Sequence, residues 1–286
     1  MIERKINHIP TSFGEIAYTS QGSGPAALFV HGAFQNGYSW RQVIDRVADI
    51  RRCIAIDLMA HGATQISAAQ DVSLEAQAGM LDAVAQALDL HQIDLVGHDS
   101  GGAIAQIFAA RHPERIATLT LGNCDVHENC PPEALKPLMD AIAAGQLAGL
   151  GQKMLADAEF ARSSFAVGYE RPDQLSDETL KLYLEPLFST PEAAANLERF
   201  FRSIDRRHTV AVEPLLRQLD APTLVVWGAA DVFFDIKWAY WLRDTIPGCR
   251  KVIELEGAKL FFPEERPEVF AAALREHWLR ENPGRL

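Results

Sequence analysis

A turn bracketed by glycines follows one of the apolar segments of this 286-residue chain. Residues 95–102 read Leu-Val-Gly-His-Asp-Ser-Gly-Gly, which predicts a buried strand that turns sharply into a helix. The strained tip of such a turn needs small residues two positions before it and two positions after it. Gly97 and Gly101 meet this requirement if Asp99 is the tip, whereas a tip at Ser100 would place the bulky His98 in a small position. Asp99 is therefore the candidate nucleophile.

A carboxylate nucleophile predicts a particular kind of reaction. It attacks an alkyl carbon and leaves an alkyl-enzyme ester, which is the chemistry of carbon–halogen or epoxide opening. The pattern at Asp99 thus disfavours the acyl transfer that a serine in the same position would perform. A carboxylate at a strained turn facing a cleft seldom has a purely structural role.

The rest of the chain alternates between strand and helix patterns. Helical periodicity over 74–88 and 103–108 lies between apolar runs, which predicts an α/β fold with a mostly parallel sheet. Residues 2–9 and 14–19 predict an antiparallel hairpin at one edge of that sheet. The apolar runs that predict buried strands are 26–30, 53–56, 93–96, 119–121, 223–227 and 252–255.

The alternation stops after the sixth strand, where several helices follow one another without a strand between them. This pattern predicts a helical cap inserted into the core. We predict a first core part over 1–124, the cap over 125–214 and a second core part over 215–286. The candidate site residues follow strand ends, which is where open parallel sheets place their sites.

The composition of the chain disfavours several classes of binding partner. The formal charge of −11 argues against binding to a phosphate backbone or an anionic membrane. No segment has the apolar length of a signal peptide or a membrane span, so a cytoplasmic protein acting on a small molecule, as monomer or homodimer, is expected. The scattered cysteines and the lack of a phosphate-binding or dinucleotide motif predict no disulfide, metal or organic cofactor.

Several motifs together resemble the α/β-hydrolase superfamily, in its branch with an aspartate nucleophile: haloalkane dehalogenases, haloacid dehalogenases and epoxide hydrolases. The matching segments are His31-Gly32, the loop at 57–62, the elbow at 97–102, Trp227-Gly228 and the stretch 263–267. The resemblance implies an eight-stranded sheet with a helical cap. It also implies an oxyanion hole formed by the backbone N–H groups of Ala33 and Ser100. Asp231 matches the supporting acid of the family, and Asp125 matches an alternative position for it.

One departure from the family pattern bears on turnover. Leu260 occupies the position expected for the histidine that activates water to hydrolyse the ester. Three interpretations remain open. In the first, another group is the base, with His127, His98 and Asp231 as candidates. In the second, Asp99 is a general base in a lyase, isomerase or cyclase. In the third, the protein binds or senses a small apolar molecule without converting it.

The substrate is expected to be small and largely apolar. Epoxide hydrolases activate the epoxide oxygen with two cap tyrosines, and the resemblance implies this role for Tyr169 and Tyr183 in the predicted cap. Neither the tryptophan of haloalkane dehalogenases nor the arginines of haloacid dehalogenases stand beside the nucleophile here. The predicted substrate-binding residues are Phe34, His98, Tyr169, Tyr183, Phe233, Leu260 and Phe261.

Overall fold

A twisted sheet forms the centre of the molecule in the computed structural model, which describes residues 5–281. Across these residues eight strands follow the order β1-β2-β4-β3-β5-β6-β7-β8. The strands β3 to β8 are parallel, whereas β2 pairs antiparallel with both β1 and β4. The strands are Asn7–Thr11 (β1), Gly14–Gln21 (β2), Ala26–Val30 (β3), Arg52–Ile56 (β4), Ile93–Asp99 (β5), Ile116–Cys124 (β6), Thr223–Gly228 (β7) and Cys249–Leu255 (β8).

The predicted α/β fold with a mostly parallel eight-stranded sheet is confirmed. The central strands β5, β6 and β7 are buried along almost their whole length, as continuous apolar runs predict for strands covered on both faces. Strand β6 is longer at both ends than the predicted run 119–121, because Ile116 and Thr118 before this run and Gly122 and Cys124 after it also pair with β5. The edge hairpin is also present, although residues 2–4 of its predicted first strand lie outside the described residues.

Helices cover both faces of the sheet. The helices α1 and α13 pack on one face around Trp40 and Trp278, and α2, α3 and α11 pack on the other. The helices are Arg41–Ile44 (α1), Leu74–Ala87 (α2), Ser100–Arg111 (α3), Lys136–Ala143 (α4), Leu147–Ala156 (α5), Ala158–Phe165 (α6), Asp177–Phe188 (α7), Pro191–Ser203 (α8), Arg206–Ala211 (α9), Glu213–Leu216 (α10), Lys237–Thr245 (α11), Phe262–Glu265 (α12) and Pro267–Glu281 (α13).

The segment between β6 and β7 is helical, and it divides into two parts. The helices α4 to α8 pack on one another, and several of their side chains share a cavity with residues at the carboxyl ends of the strands. The short helices α9 and α10 instead pack against α3, beside the sheet. None of the helices in residues 5–281 combines the length and apolarity that crossing a bilayer requires.

Candidate active site

Asp99 lies at the junction of β5 and α3 with a φ angle of 56°, in the left-handed region that non-glycine residues rarely adopt. Two glycines make this turn possible. A Cβ atom on Gly32 would come within 2.2 Å of Asp99 Oδ2, and one on Gly101 would come within 2.2 Å of the His31 carbonyl oxygen. The structure therefore places Asp99 at the tip of the turn and Ser100 in the first turn of α3.

The backbone of the loop after β3 holds the Asp99 carboxylate. The Ala33 N–H group donates to Asp99 Oδ2 at 3.0 Å, and the Ser100 backbone also bonds to this carboxylate. His31 fixes the loop: its Nδ1 bonds to the Gly32 carbonyl at 2.7 Å, and its Nε2 accepts from Leu58 N–H. The two predicted oxyanion donors thus lie together on the carboxylate of the candidate nucleophile.

A cavity of about 340 Å³ opens above Asp99, between the strand ends and the helices α4, α5, α6 and α8. This volume suits a small organic molecule. Among the described residues, the wall contains two carboxylates but no lysine, arginine or histidine. Its polar residues are Asp99, Ser100, Asp125 and Ser164. Its apolar residues are Ala33, Phe34, Pro131, Pro132, Ala134, Leu135, Pro137, Leu138, Leu150, Met154, Phe165, Val167, Phe201, Ile204, Phe233, Phe234, Leu260 and Phe261.

Asp125 is the second carboxylate of this cavity, and it follows directly after β6. Its side chain is buried, and within residues 5–281 no hydrogen-bond partner reaches Oδ1. Burial raises the pKa of Asp125 to about 7, and a hydrogen bond with the Cys130 thiol opposes that rise. Asp125 therefore exchanges a proton in the neutral pH range.

The pKa of Asp99 is raised well above its ordinary value, first by burial and then by the negative charge of Asp125. The backbone bonds from Ser100 and Ala33 oppose this rise because they stabilise the ionised form. Asp125 has a single weak thiol donor by comparison. The backbone donors favour the ionised form of Asp99, whereas the neighbouring charge of Asp125 favours its protonated form, so the two buried carboxylates titrate as a coupled pair that shares a proton.

Asp231 does not line the cavity. Asn123 Nδ2 donates to its Oδ2 at 2.7 Å, and the Phe233 N–H group donates to its Oδ1 at 2.9 Å. Asn123 also joins the ends of β6 and β7 through both the carbonyl and the N–H of Gly228. Burial raises the pKa of Asp231 to about 6. Asn123 was not among the predicted site residues, although its place at the end of β6 was a signal for one.

Leu260 is buried and lines the cavity, as expected for the position that would otherwise hold a histidine. Its carbonyl oxygen accepts a hydrogen bond from His98 Nε2 at 2.7 Å. His98 is itself buried beneath Phe261 and is absent from the cavity wall. Burial lowers the pKa of His98 to about 4. His98 therefore fixes the loop that carries Leu260, and the structure does not bring its imidazole to Asp99.

His127 also lies away from the cavity. Its Nε2 lies 2.9 Å from Glu213 Oε2, and its ring packs on Trp241 with the ring centroids 4.9 Å apart. Both interactions direct the imidazole towards α10 and α11. The expectation that His127 substitutes for the missing base is therefore not supported by its position.

The two predicted substrate tyrosines bind Glu264 instead of facing the cavity. The hydroxyl groups of Tyr169 and Tyr183 donate to the two oxygens of the Glu264 carboxylate at 2.7 and 2.9 Å. Arg41 Nη1 donates to the same carboxylate at 2.5 Å. Neither tyrosine lines the cavity, so the structure does not support their predicted contact with a substrate oxygen.

The predicted aromatic residues Phe34, Phe233 and Phe261 do line the cavity. Phe34 follows Ala33 with a φ angle of 60°, and its ring packs on those of Phe165 and Phe201 from the helical segment. The loop that positions the Ala33 N–H group is thereby anchored to the helices above the cavity. Because the wall around the two carboxylates is mostly aromatic and aliphatic, their charges interact more strongly than they would in bulk water.

The fold and the elbow at Asp99 define a member of a hydrolase superfamily. The family model for the alpha/beta hydrolase fold matches residues 25–266, and the chain belongs to this family, as the sequence motifs predicted.

Named relatives include the dehalogenases and epoxide hydrolases that the sequence motifs resemble. The chain is 31% identical over 212 residues to a haloalkane dehalogenase of Mesorhizobium japonicum. This alignment covers 70% of the chain and 65% of the relative, just under two thirds of its length. A cis-3-alkyl-4-alkyloxetan-2-one decarboxylase of Shewanella oneidensis is 29% identical over 241 residues, covering 78% of this chain and 74% of that protein. The structure of the epoxide hydrolase CorEH without ligand has a TM-score of 0.80 at 19% identity, covering 96% of this chain and 99% of that one, which shows a shared fold.

Proposed function

We propose that this protein is an Asp99-dependent hydrolase of a small, uncharged and largely apolar molecule with an electrophilic carbon, such as an epoxide or a haloalkane. One observation carries the proposal: a carboxylate at a strained strand–helix turn faces an apolar cavity while two backbone N–H groups orient it. The dehalogenase relative and the superfamily membership agree with this chemistry.

The cavity wall defines the substrate class further. Within the described residues no cationic side chain lines the wall, so a substrate carboxylate would meet two acidic side chains and no partner. A haloacid is thereby disfavoured relative to a neutral compound. The apolar rings of Phe34, Phe233 and Phe261 favour a hydrocarbon body for that compound.

The geometry supports a covalent route. Asp99 Oδ1, the oxygen that Ala33 does not bond, attacks the carbon, and the carbon–oxygen or carbon–halogen bond breaks. The product of this step is an alkyl ester of Asp99. Water then adds to the ester carbonyl, and the N–H groups of Ala33 and Ser100 stabilise the resulting oxyanion. Collapse of this intermediate breaks the ester bond, releases the alcohol and restores the carboxylate.

The test combines intact-protein mass spectrometry with product analysis on a panel of neutral epoxides and haloalkanes. Wild-type protein should form an ester on Asp99 and release product. Asp99→Asn should reduce product formation by roughly 10⁴-fold or more, as loss of a nucleophile does in other hydrolases. Absence of both adduct and product with every compound would refute the proposal.

A second candidate, general-base catalysis by Asp99, is favoured by the raised pKa of this carboxylate. A single turnover in oxygen-18 water separates the two mechanisms. In the covalent route the product carries ordinary oxygen from Asp99, and the peptide containing Asp99 gains the label. In the general-base route the product carries the label in the first turnover, and Asp99 stays unlabelled.

A further inference from the structure

Hydrolysis of an Asp99 ester requires a base, and the histidines near the cavity are engaged elsewhere. His98 bonds to the Leu260 carbonyl, His31 holds the loop after β3, and His127 pairs with Glu213. In residues 5–281, no histidine contributes to the wall of the cavity. The position of the usual histidine is apolar, so the base has to be a residue of another type.

Asp125 is the ionisable side chain that shares the cavity with Asp99. It is 2% exposed, and its Oδ1 has no hydrogen-bond partner among the described residues. A buried carboxylate oxygen without a donor is energetically unfavourable, and its presence therefore indicates a role with a bound molecule or a proton. Asp231 differs in this respect, because Asn123 and the Phe233 N–H group occupy its oxygens outside the cavity.

The backbone around Asp125 is fixed. Gln106 Nε2, from the middle of α3, donates to the Asp125 carbonyl oxygen at 2.9 Å and to the Gly102 carbonyl oxygen at 3.1 Å. One side chain thus ties the Asp125 backbone to the helix that begins at the nucleophile. The Cys130 thiol bonds to the Asp125 carboxylate, and Pro131, the next residue, lines the cavity. Asp125 is held relative to Asp99 by a rigid element, as an acid–base residue requires.

We propose that Asp125 is the catalytic acid and base that turns over the Asp99 ester in place of the absent histidine, and that the preferred substrate is an epoxide. This inference rests on the nucleophilic function proposed above. The reactive form of the pair is the one in which Asp99 is the carboxylate and Asp125 holds the shared proton as the carboxylic acid.

The protons balance over a complete cycle. Asp99 attacks an epoxide carbon, the ring carbon–oxygen bond breaks, and Asp125 gives its proton to the departing oxygen. Asp125, now a carboxylate, removes a proton from the water that adds to the Asp99 ester. It returns this proton to the diol oxygen as the ester bond breaks. The new Asp99 carboxylic acid then passes its proton to Asp125, which restores the pair.

The wall of the cavity explains the preference for an oxygen leaving group. A departing alkoxide needs a proton, which neutral Asp125 supplies. A departing halide needs N–H donors, and among the described residues no tryptophan, asparagine or glutamine lines the cavity. The hydroxyl of Ser100 is the other free donor, since its Oγ is buried in the wall without a partner in residues 5–281.

Two probes, a bromoalkane and an epoxide, allow formation of the Asp99 ester and its hydrolysis to be tested separately. A primary bromoalkane alkylates Asp99 and releases bromide without needing a proton, so Asp125→Asn should still form the ester. In the wild type Asp125 then loses its proton to solvent, since the charge on Asp99 is gone, and the resulting carboxylate is the base. Hydrolysis of that ester should slow by roughly 100-fold or more, the usual range for loss of a general base. The adduct on Asp99 should therefore persist in Asp125→Asn and decay in the wild type. With a neutral epoxide, formation of the ester should also slow in the variant.

A second variant distinguishes chemistry from folding. Asp125→Ala leaves room for a small carboxylate, and added formate should restore ester hydrolysis in it but not in Asp125→Asn, whose amide group still fills that space. Loss of packing alone would not respond to formate. Asp231→Asn serves as the comparison for removing a partly buried carboxylate that does not line the cavity.

The possible results separate the role of Asp125 from that of Asp99. If Asp125→Asn hydrolyses the ester as fast as the wild type, or if Asp231→Asn alone blocks it, the role of Asp125 is refuted and the nucleophile stands. A wild-type adduct that never decays would also refute the role of Asp125 and leave the nucleophile in place. If no Asp99 adduct or product forms in any variant, the nucleophilic function itself is refuted.

Discussion

Two groups of buried polar side chains lie on either side of Phe261, and they differ in how completely their hydrogen bonds are satisfied. On one side, the Glu264 cluster contains Glu264, Arg41, Tyr169 and Tyr183, and both carboxylate oxygens accept donors from the other three residues. On the other side, the Asp99 cavity contains Asp99, Ser100 and Asp125, and the Ser100 hydroxyl and Asp125 Oδ1 have no partner among the described residues.

This difference indicates that the Glu264 cluster stabilises the fold, whereas the Asp99 cavity is available for chemistry. The Glu264 cluster connects α1 and α12 to the helical segment, and its full set of hydrogen bonds compensates for the burial of its charges. In the Asp99 cavity the compensation is incomplete, so the folded protein keeps polar groups that a bound molecule can satisfy. Substitutions in the first region are expected to change stability, and those in the second to change chemistry.

The largest expected effect is a pH-dependent difference in stability at Asp125. The pKa of Asp125 is about 7 in the folded protein and lies above the value in the unfolded chain. The folded state therefore binds this proton more tightly, and the resulting contribution to the free energy of unfolding is complete below about pH 4 and is lost as the pH rises to about 7. Relative to Asp125→Asn, the wild type should lose about 4 kcal/mol of unfolding free energy over that range. Asp231 remains in both proteins and cancels to first order, whereas the pKa of Asp99 falls in the variant, because the Asp125 charge that raises it is absent. Urea unfolding at several pH values measures the difference, and parallel curves for the two proteins would contradict the raised pKa.

Glu264→Gln is expected to be the most destabilising change in the Glu264 cluster. Removing the charge eliminates the ion pair between Glu264 and the partly buried Arg41, which should lower the free energy of unfolding by about 3 kcal/mol. Asp99→Asn should instead raise it at neutral pH, because a buried charge is removed. Urea denaturation of both variants at the same pH shows whether the free energy of unfolding falls in Glu264→Gln and rises in Asp99→Asn. If Glu264→Gln folds but no longer forms the Asp99 ester, the Glu264 cluster takes part in the chemistry, and the distinction between the two regions is wrong.

Ser100→Ala should have a moderate effect that appears in the reaction and not in stability. The Ser100 N–H group remains, but the hydroxyl can no longer donate to a departing oxygen. Ester formation with an epoxide should therefore slow by about tenfold, the equivalent of one hydrogen bond. The melting temperature should stay the same, since the hydroxyl has no partner to lose within the described residues. A fall in melting temperature with unchanged kinetics would reverse this assignment.

Tyr169→Phe should have the smallest effect, and it sharpens the comparison because the sequence predicts that this tyrosine binds substrate. The variant loses one hydrogen bond to Glu264 and should be less stable by about 1 kcal/mol. Epoxide turnover by the folded variant should match the wild type. A large decrease in the rate of ester formation would show that the hydroxyl reaches the substrate after all.

The parts of the site that depend on neighbouring residues in the chain could be predicted from the sequence. The need for a small residue at Gly97 is a local steric requirement, since a Cβ there would meet Gly101 and Gly102, and the turn forms where it was expected. At Gly101 the small residue also makes room for the His31 carbonyl oxygen of the neighbouring strand end. The parallel sheet was predictable for the same reason, because its buried strands are continuous apolar runs. Leu260 at the histidine position was likewise evident from the order of residues in one loop.

The partners of His127, Tyr169 and Tyr183 could not be predicted. Each lies on a helix or loop whose direction depends on packing far along the chain, and Glu264 is 95 residues from Tyr169 and 81 from Tyr183. Residue type alone did not show that Glu264 satisfies both hydroxyl groups. Asn123 was missed for the same reason, because its role depends on β7 lying next to β6.

The sequence by itself determined the sheet, the elbow and the identity of its tip, because hydrophobic periodicity and backbone sterics act over a few residues. The tertiary structure alone decided which ionisable groups share the cavity. Burial and hydrogen bonding set that choice, and both depend on contacts between distant segments. Asp125 faces the cavity with Asp99, whereas Asp231, His98 and His127 are held by other partners.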